Sequence, residues 1–221
     1  MDPTDNLTAW EHAPTQRAWS KQLSVSLLAL VGWIALWIAL LAVLVVFLSP
    51  RYTILFVPFL LYSFYRAFIQ VFSIPVVFRT RRILREYPWR LYSAIPCGLT
   101  DRADVVGRQY GWFEFPNPAQ PDEQLPMVFP RHWGVGWWHR RMAPRANPEL
   151  KSQIDVVWLA GDPRFIGVIA ASSPDGVSPR RFRFLHQQMS ADGGGRSVSD
   201  WGATAEDIER GRRAGVRPAR P

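Results

Sequence analysis

Leu23–Leu48 reads LSVSLLALVGWIALWIALLAVLVVFL and carries no charged residue. As a helix rising about 1.5 Å per residue it would be about 39 Å long. The hydrocarbon core of a bilayer is roughly 30 Å thick. A run apolar on every side belongs either in lipid or in the centre of a core far larger than 221 residues can build. It is also too long, and begins too late, for the apolar stretch of a cleaved secretion signal.

A second apolar run, Tyr52–Phe78, follows after Ser49-Pro50-Arg51. It is interrupted by Pro58, Arg66, Gln70 and Pro75, with no acidic residue in either run to pair with Arg66. Arg66 reads as a snorkelling anchor near one edge of the core, or as a buried charge serving transport. In the first run Ala29, Gly32, Ala35, Ala39 and Ala42 share a helix face. Small residues let membrane helices approach closely. This stripe is therefore a candidate groove for an aromatic ridge of Tyr52, Phe56, Phe59, Tyr62 and Phe72.

The basic residues orient the pair. Arg17 and Lys21 precede the first run, and Arg79, Arg81, Arg82 and Arg85 follow the second, while the connection holds only Arg51. By the positive-inside rule both termini face the cytoplasm. The expectation is a two-span cell-membrane protein. Past Pro75, Val76, Val77, Thr80, Ile83, Leu84 and Tyr87 recur at helical spacing between those four arginines. Such a basic amphipathic helix lies on the inner membrane surface or packs on the domain that follows. It should stop before Pro88. Arg79, Arg81, Arg82 and Arg85 are the candidate lipid headgroup contacts, and with a net charge of +8 anionic phospholipid is the first partner to consider. A protein partner or a homo-oligomer is the alternative. No nucleic-acid-binding module is recognisable.

The flanks are polar. Residues 1–20 are expected to be a disordered leader, with Trp10 and Trp19 suited to the membrane interface. Residues 21–87 form the hairpin and its basic extension, and residues 88–188 have the texture of strands. Leu91–Ile95, Tyr110–Phe115 and Pro126–Phe129 are candidates, and Asn117-Pro118 with Pro121-Asp122 marks a loop. The best hairpin joins Ile154–Ala160 to Phe165–Ala171 through Gly161-Asp162-Pro163-Arg164. Aspartate then proline suits a type I turn, and the nearly continuous apolar arms should be central strands. Asp162 reads as a turn former whose replacement by Ala would cost about 1 kcal/mol. In Arg181–Gln187 the alternation puts Phe182 and Phe184 opposite Arg181 and Arg183. Residues 189–221, with Gly193-Gly194-Gly195, are expected to be a disordered tail. Within it Ala203–Arg213 is a candidate transient helix capped by Asp200. The fold class expected is thus α+β: a transmembrane helical hairpin, a small β-rich cytoplasmic domain and a tail.

Chemistry is less legible. There is no phosphate-cradling glycine loop, no HExxH and no GxSxG. Cys97 is the sole cysteine, so no internal disulfide forms. Arg131–Met142, RHWGVGWWHRRM, reads as a loop over the sheet, a headgroup-level segment or a single-strand nucleic-acid binder. His132 and His139 lack a nearby carboxylate or cysteine in sequence, which disfavours a metal there, and no cofactor is indicated. Cys97, Asp104, His132 and His186 are the raw material for an enzyme site assembled from scattered residues. Arg66 and Gln70 would line the contact if hairpins oligomerised into a transporter or accessory subunit.

Two stretches, ILREYPWRLY at Ile83–Tyr92 and VVWLAGDPRFIGVIA at Val156–Ala170, resemble uncharacterised two-span membrane proteins of actinobacteria. The scarcity of lysine, found only at Lys21 and Lys151, fits a GC-rich bacterial genome. The resemblance implies a membrane hairpin carrying a small cytoplasmic domain, and no activity or site residues. The function expected is a non-enzymatic membrane anchor whose β-domain binds a protein or lipid partner.

Overall fold

Two long helices open the chain, α1 (Ala13–Phe47) and α2 (Thr53–Glu86). The computed structural model describes residues 7–47, 53–99, 111–129, 135–173, 175–176, 178–187 and 198–216. Ser49-Pro50-Arg51, Asp104, His132 and Gly193-Gly194-Gly195 lie outside them. The chain divides into two units: Trp19–Phe78, and a second made of Met1–Ala18 together with Arg79–Pro221.

In the first unit both helices are long and apolar enough to cross a membrane, and almost none of their most apolar windows is buried. A core helix of a soluble protein would be covered. Pro58 and Pro75 sit inside α2, each removing one backbone donor. Aromatic bulk carries the contact between the helices. Trp33 meets Tyr62 edge-on at 5.7 Å and Trp37 meets Phe64 at 6.1 Å. The groove expected from the small residues is not used for it. Nothing lies within 4 Å of where a Gly32 Cβ would stand, and Gly32, Ala35, Ala39, Ala42 and Phe59 are exposed, although Tyr62 of the expected ridge does meet Trp33. Trp19 is buried, its Nε1 donating to the Val77 carbonyl at 3.0 Å.

The second unit is built on a seven-stranded antiparallel sheet in the order β1-β5-β6-β7-β4-β3-β2. The strands are β1 (Trp89–Ser93), β2 (Cys97–Gly98), β3 (Trp112–Pro116), β4 (Gln124–Val128), β5 (Val156–Asp162), β6 (Ile166–Ser172) and β7 (Pro179–Gln187). The β5–β6 hairpin is central, as its apolar arms require. Its turn closes by Phe165 N–H donating to the Asp162 carbonyl at 2.9 Å, with Asp162 and Pro163 in the expected places. Pairing of β7 with β6 shifts register between Ile169 and Ala171. Arg181, at φ 60°, sits in that bulge.

One sheet face packs Phe113, Phe115, Met127, Leu159, Ile169 and Leu185 under Trp138 and Met142 of α3 (Gly136–Met142). Thus Gly136–Met142 of the aromatic–basic segment is a short helix, and Trp138 is fully buried. A five-residue helix, α4 (Pro148–Ser152), follows. The other face carries Trp89, Trp158 and Phe182, and the leader reaches it. Trp89 Nε1 donates to Thr15 Oγ1 at 2.9 Å, and His12 stacks on Trp158 at 6.4 Å.

The flanks expected to be disordered contain ordered structure. Ala9 N–H donates to the Tyr87 carbonyl (2.9 Å) and Trp10 N–H to the Leu84 carbonyl (2.8 Å), so the leader caps carbonyls that the end of α2 leaves open. In the tail, a 3-10 turn (Val198–Trp201) precedes α5 (Ala205–Ala214). Its cap is Thr204, not Asp200: Thr204 and Asp207 form a capping box, and Gly215 ends the helix at φ 99°. The folded unit therefore extends beyond residues 88–188 at both ends.

Candidate functional site

The basic end of α2 is the first candidate. Proline at position 88 stops the helix at Glu86, as expected. Thr80, Ile83, Leu84 and Tyr87 are buried, so the apolar face packs on the domain. It is not available to lie in a lipid surface. Arg79, Arg82 and Arg85 remain exposed and Arg81 is half-buried. Arg81 and Arg85 share one indole, at 4.8 and 5.6 Å from the ring centre of Trp10, and Arg79 lies 5.6 Å from that of Phe184. Cation–π contact holds each guanidinium over a ring.

The hairpin turn is the second. Arg164 and Asp162 are nearly fully buried. Arg164 Nη2 lies 2.6 Å from Asp162 Oδ2 and 3.0 Å from Asp207 Oδ2, and Nη1 donates to the Gly202 carbonyl at 3.1 Å. Burial pulls the Arg164 guanidinium down, but the two carboxylates outweigh it and hold it charged. Burial pushes the Asp207 carboxyl up, yet Thr204 and Arg164 together hold it below the usual carboxylate range. A cation bound to both carboxylates is a structural tie between the hairpin turn and the tail. Asp162 is thus a turn former, as expected, and also an ion-pair partner, which a sequence reading did not reveal. Tyr87 lies within the field of this group. Its buried hydroxyl has no hydrogen-bond partner among the described residues, and burial pushes its pKa well up.

Of the scattered catalytic candidates, Asp104 and His132 lie outside the described residues, and Cys97 and His186 do not come together. Cys97 is on β2 and His186 on β7, three strand spacings apart, or about 14 Å. Burial, then Asp155, pushes the Cys97 thiol up, the reverse of what a nucleophile needs. Burial pulls the His186 imidazole down, and its Nδ1 has no hydrogen-bond partner among the described residues. His139 meets Phe129 edge-on at 6.3 Å. Among the described residues no group of three metal-ligating side chains occurs. Arg66 stands 5.1 Å from the ring centre of Trp33. Gln70 accepts from Ser73 Oγ through its backbone carbonyl (2.7 Å) and its side-chain Oε1 (3.2 Å).

No family model matches the chain, and no curated protein or solved structure matches it.

Proposed function

We propose that the chain is a two-span integral membrane protein that holds a small, non-enzymatic domain at the cytoplasmic face of a cell membrane. There the domain binds anionic lipid or a protein partner through the basic end of α2. The observation that carries this reading is the pair of long apolar helices left uncovered, followed at once by exposed Arg79, Arg82 and Arg85. Hydrogen bonds from Ala9 and Trp10 to the end of α2 add to it, because they keep both flanks of the hairpin in one compartment. Each arginine near an anionic surface contributes about 1 kcal/mol.

The test replaces Arg79, Arg82 and Arg85 with Gln and measures the lipid that co-purifies. Retention in the membrane pellet at alkaline pH should be unchanged, because the apolar helices insert regardless. Enrichment in anionic lipid should fall several-fold. Release at alkaline pH would sink the membrane assignment. Unchanged enrichment would move the partner from lipid to protein.

A further inference from the structure

Arginines from two distant stretches meet around Trp137. Trp138 Nε1 donates to the Arg181 carbonyl at 3.2 Å, which ties α3 to the bulge of β7. The Arg141 guanidinium lies 3.6 Å from the ring centre of Trp137, and that of Arg181 lies 5.9 Å from the same centre. Arg141 is pinned: Nε and Nη2 both donate to Gln153 Oε1, at 3.0 and 2.7 Å, and Nη1 donates to the Trp137 carbonyl at 2.8 Å. Burial and then Arg140, Arg180 and Arg181 pull its pKa down, so the neighbouring charges that act on it are all cations. Arg180 is held by Nε donating to the Ser172 carbonyl at 2.9 Å. Arg181 takes a left-handed φ of 60°, unusual for a side chain with a Cβ. Backbone held in a sparsely populated region costs stability, and so do like charges held together, with no carboxylate among the described charges that act on Arg141. An anion from outside the fold would offset that cost.

We propose that Arg141 and Arg181, which meet at Trp137, together with their chain neighbours Arg140 and Arg180, form a binding surface for a phosphate-bearing anion whose occupant is the headgroup of an anionic phospholipid. The planar guanidinium fork fits phosphate oxygens in pairs. Arg141 covers a face of Trp137, leaving the indole a poor platform for stacking a nucleic-acid base. The choice of lipid rests on the membrane reading above, since a tethered domain meets headgroups at high effective concentration.

The full-length chain in phosphatidylcholine nanodiscs, with or without phosphatidylglycerol, is treated with phenylglyoxal, and each modified arginine is located by mass spectrometry. Modification at Arg140 and Arg181 should slow about tenfold where the anionic lipid is about ten times its dissociation constant. Exposed Arg212, paired with Glu209, should not change. Arg181→Asn, which suits a left-handed φ, should abolish the protection at Arg140. Protection by inorganic phosphate in phosphatidylcholine discs, with none from phosphatidylglycerol, would overturn the lipid occupant in favour of a soluble ligand. Protection by a single-stranded oligonucleotide alone would overturn it in favour of nucleic acid. A chain that enters the discs but is protected by none of these has no such site. A chain that does not enter the discs overturns the membrane reading and the lipid occupant together.

Discussion

Arg164 Nη2 lies 3.0 Å from Asp207 Oδ2, joining the turn of the central hairpin to the first turn of the last helix. The same nitrogen holds Asp162 at 2.6 Å. Removing either hairpin member strands the other in a buried site. Asp162→Ala should therefore cost about 3–5 kcal/mol, well above the roughly 1 kcal/mol of a lost turn residue. Chemical denaturation of the detergent-solubilised chain measures this. A loss near 1 kcal/mol would mean that Asp207 alone suffices for Arg164.

Asp207 gives α5 a pH dependence. Its carboxyl is held below the 3.8 of the unfolded chain. The stabilisation is complete at neutral pH and is lost as pH falls through 3.8 toward the lower folded value. Protection of the amides of Ala205–Ala214, corrected for the intrinsic pH dependence of exchange, should fall across that window. Asp207→Asn should be less protected at neutral pH and should converge with the parent chain at the acid end.

Tyr87→Phe should not destabilise the protein and should raise its stability by about 1 kcal/mol, because the hydroxyl it removes is buried without a partner among the described residues. A loss of more than about 1 kcal/mol in the same denaturation assay would reveal a hydrogen bond to that hydroxyl.

Gly161 sits at φ 148°, where its Cβ would run into the backbone of Gly167 and Ile166 across the hairpin. Gly161→Ala should cost about 2–4 kcal/mol, since neither neighbour is a flexible side chain that can yield. Unaltered thermal unfolding would contradict the pairing of Gly161 with Gly167.

His186 is pulled below the 6.5 of a free imidazole by burial. The unfolded chain therefore takes up a proton first, and stability should fall as pH drops below 6.5 toward the folded value. His186→Gln should remove that part of the pH profile, read from denaturation midpoints between neutral and mildly acid pH.

The elements that depend on local chemistry were legible. Asp162-Pro163 placed the turn, Pro88 ended α2, and apolar arms put β5 and β6 inside the sheet. The tail helix was legible as a candidate at Ala203–Arg213, but the attachment of leader and tail to the domain was not, because neither carries an apolar period. Thr15, Trp10 and Asp207 order them through single hydrogen bonds, ring contacts and an ion pair to distant residues. The stripe from Ala29 to Ala42 misled because spacing identifies a shared face without saying which face the partner helix meets. The arginines around Trp137 belong to two stretches that only the β7 bulge and α3 bring together, so no window of sequence contains them.

The folded domain is discontinuous along the chain, with the apolar hairpin inserted between its first residues and the rest. Synthesis must therefore run out of order with assembly. Ala9 and Trp10 leave the ribosome before either apolar helix, and their acceptors at Leu84 and Tyr87 leave after both. The first-made segment has to wait through the making of the whole hairpin before it can close the end of α2.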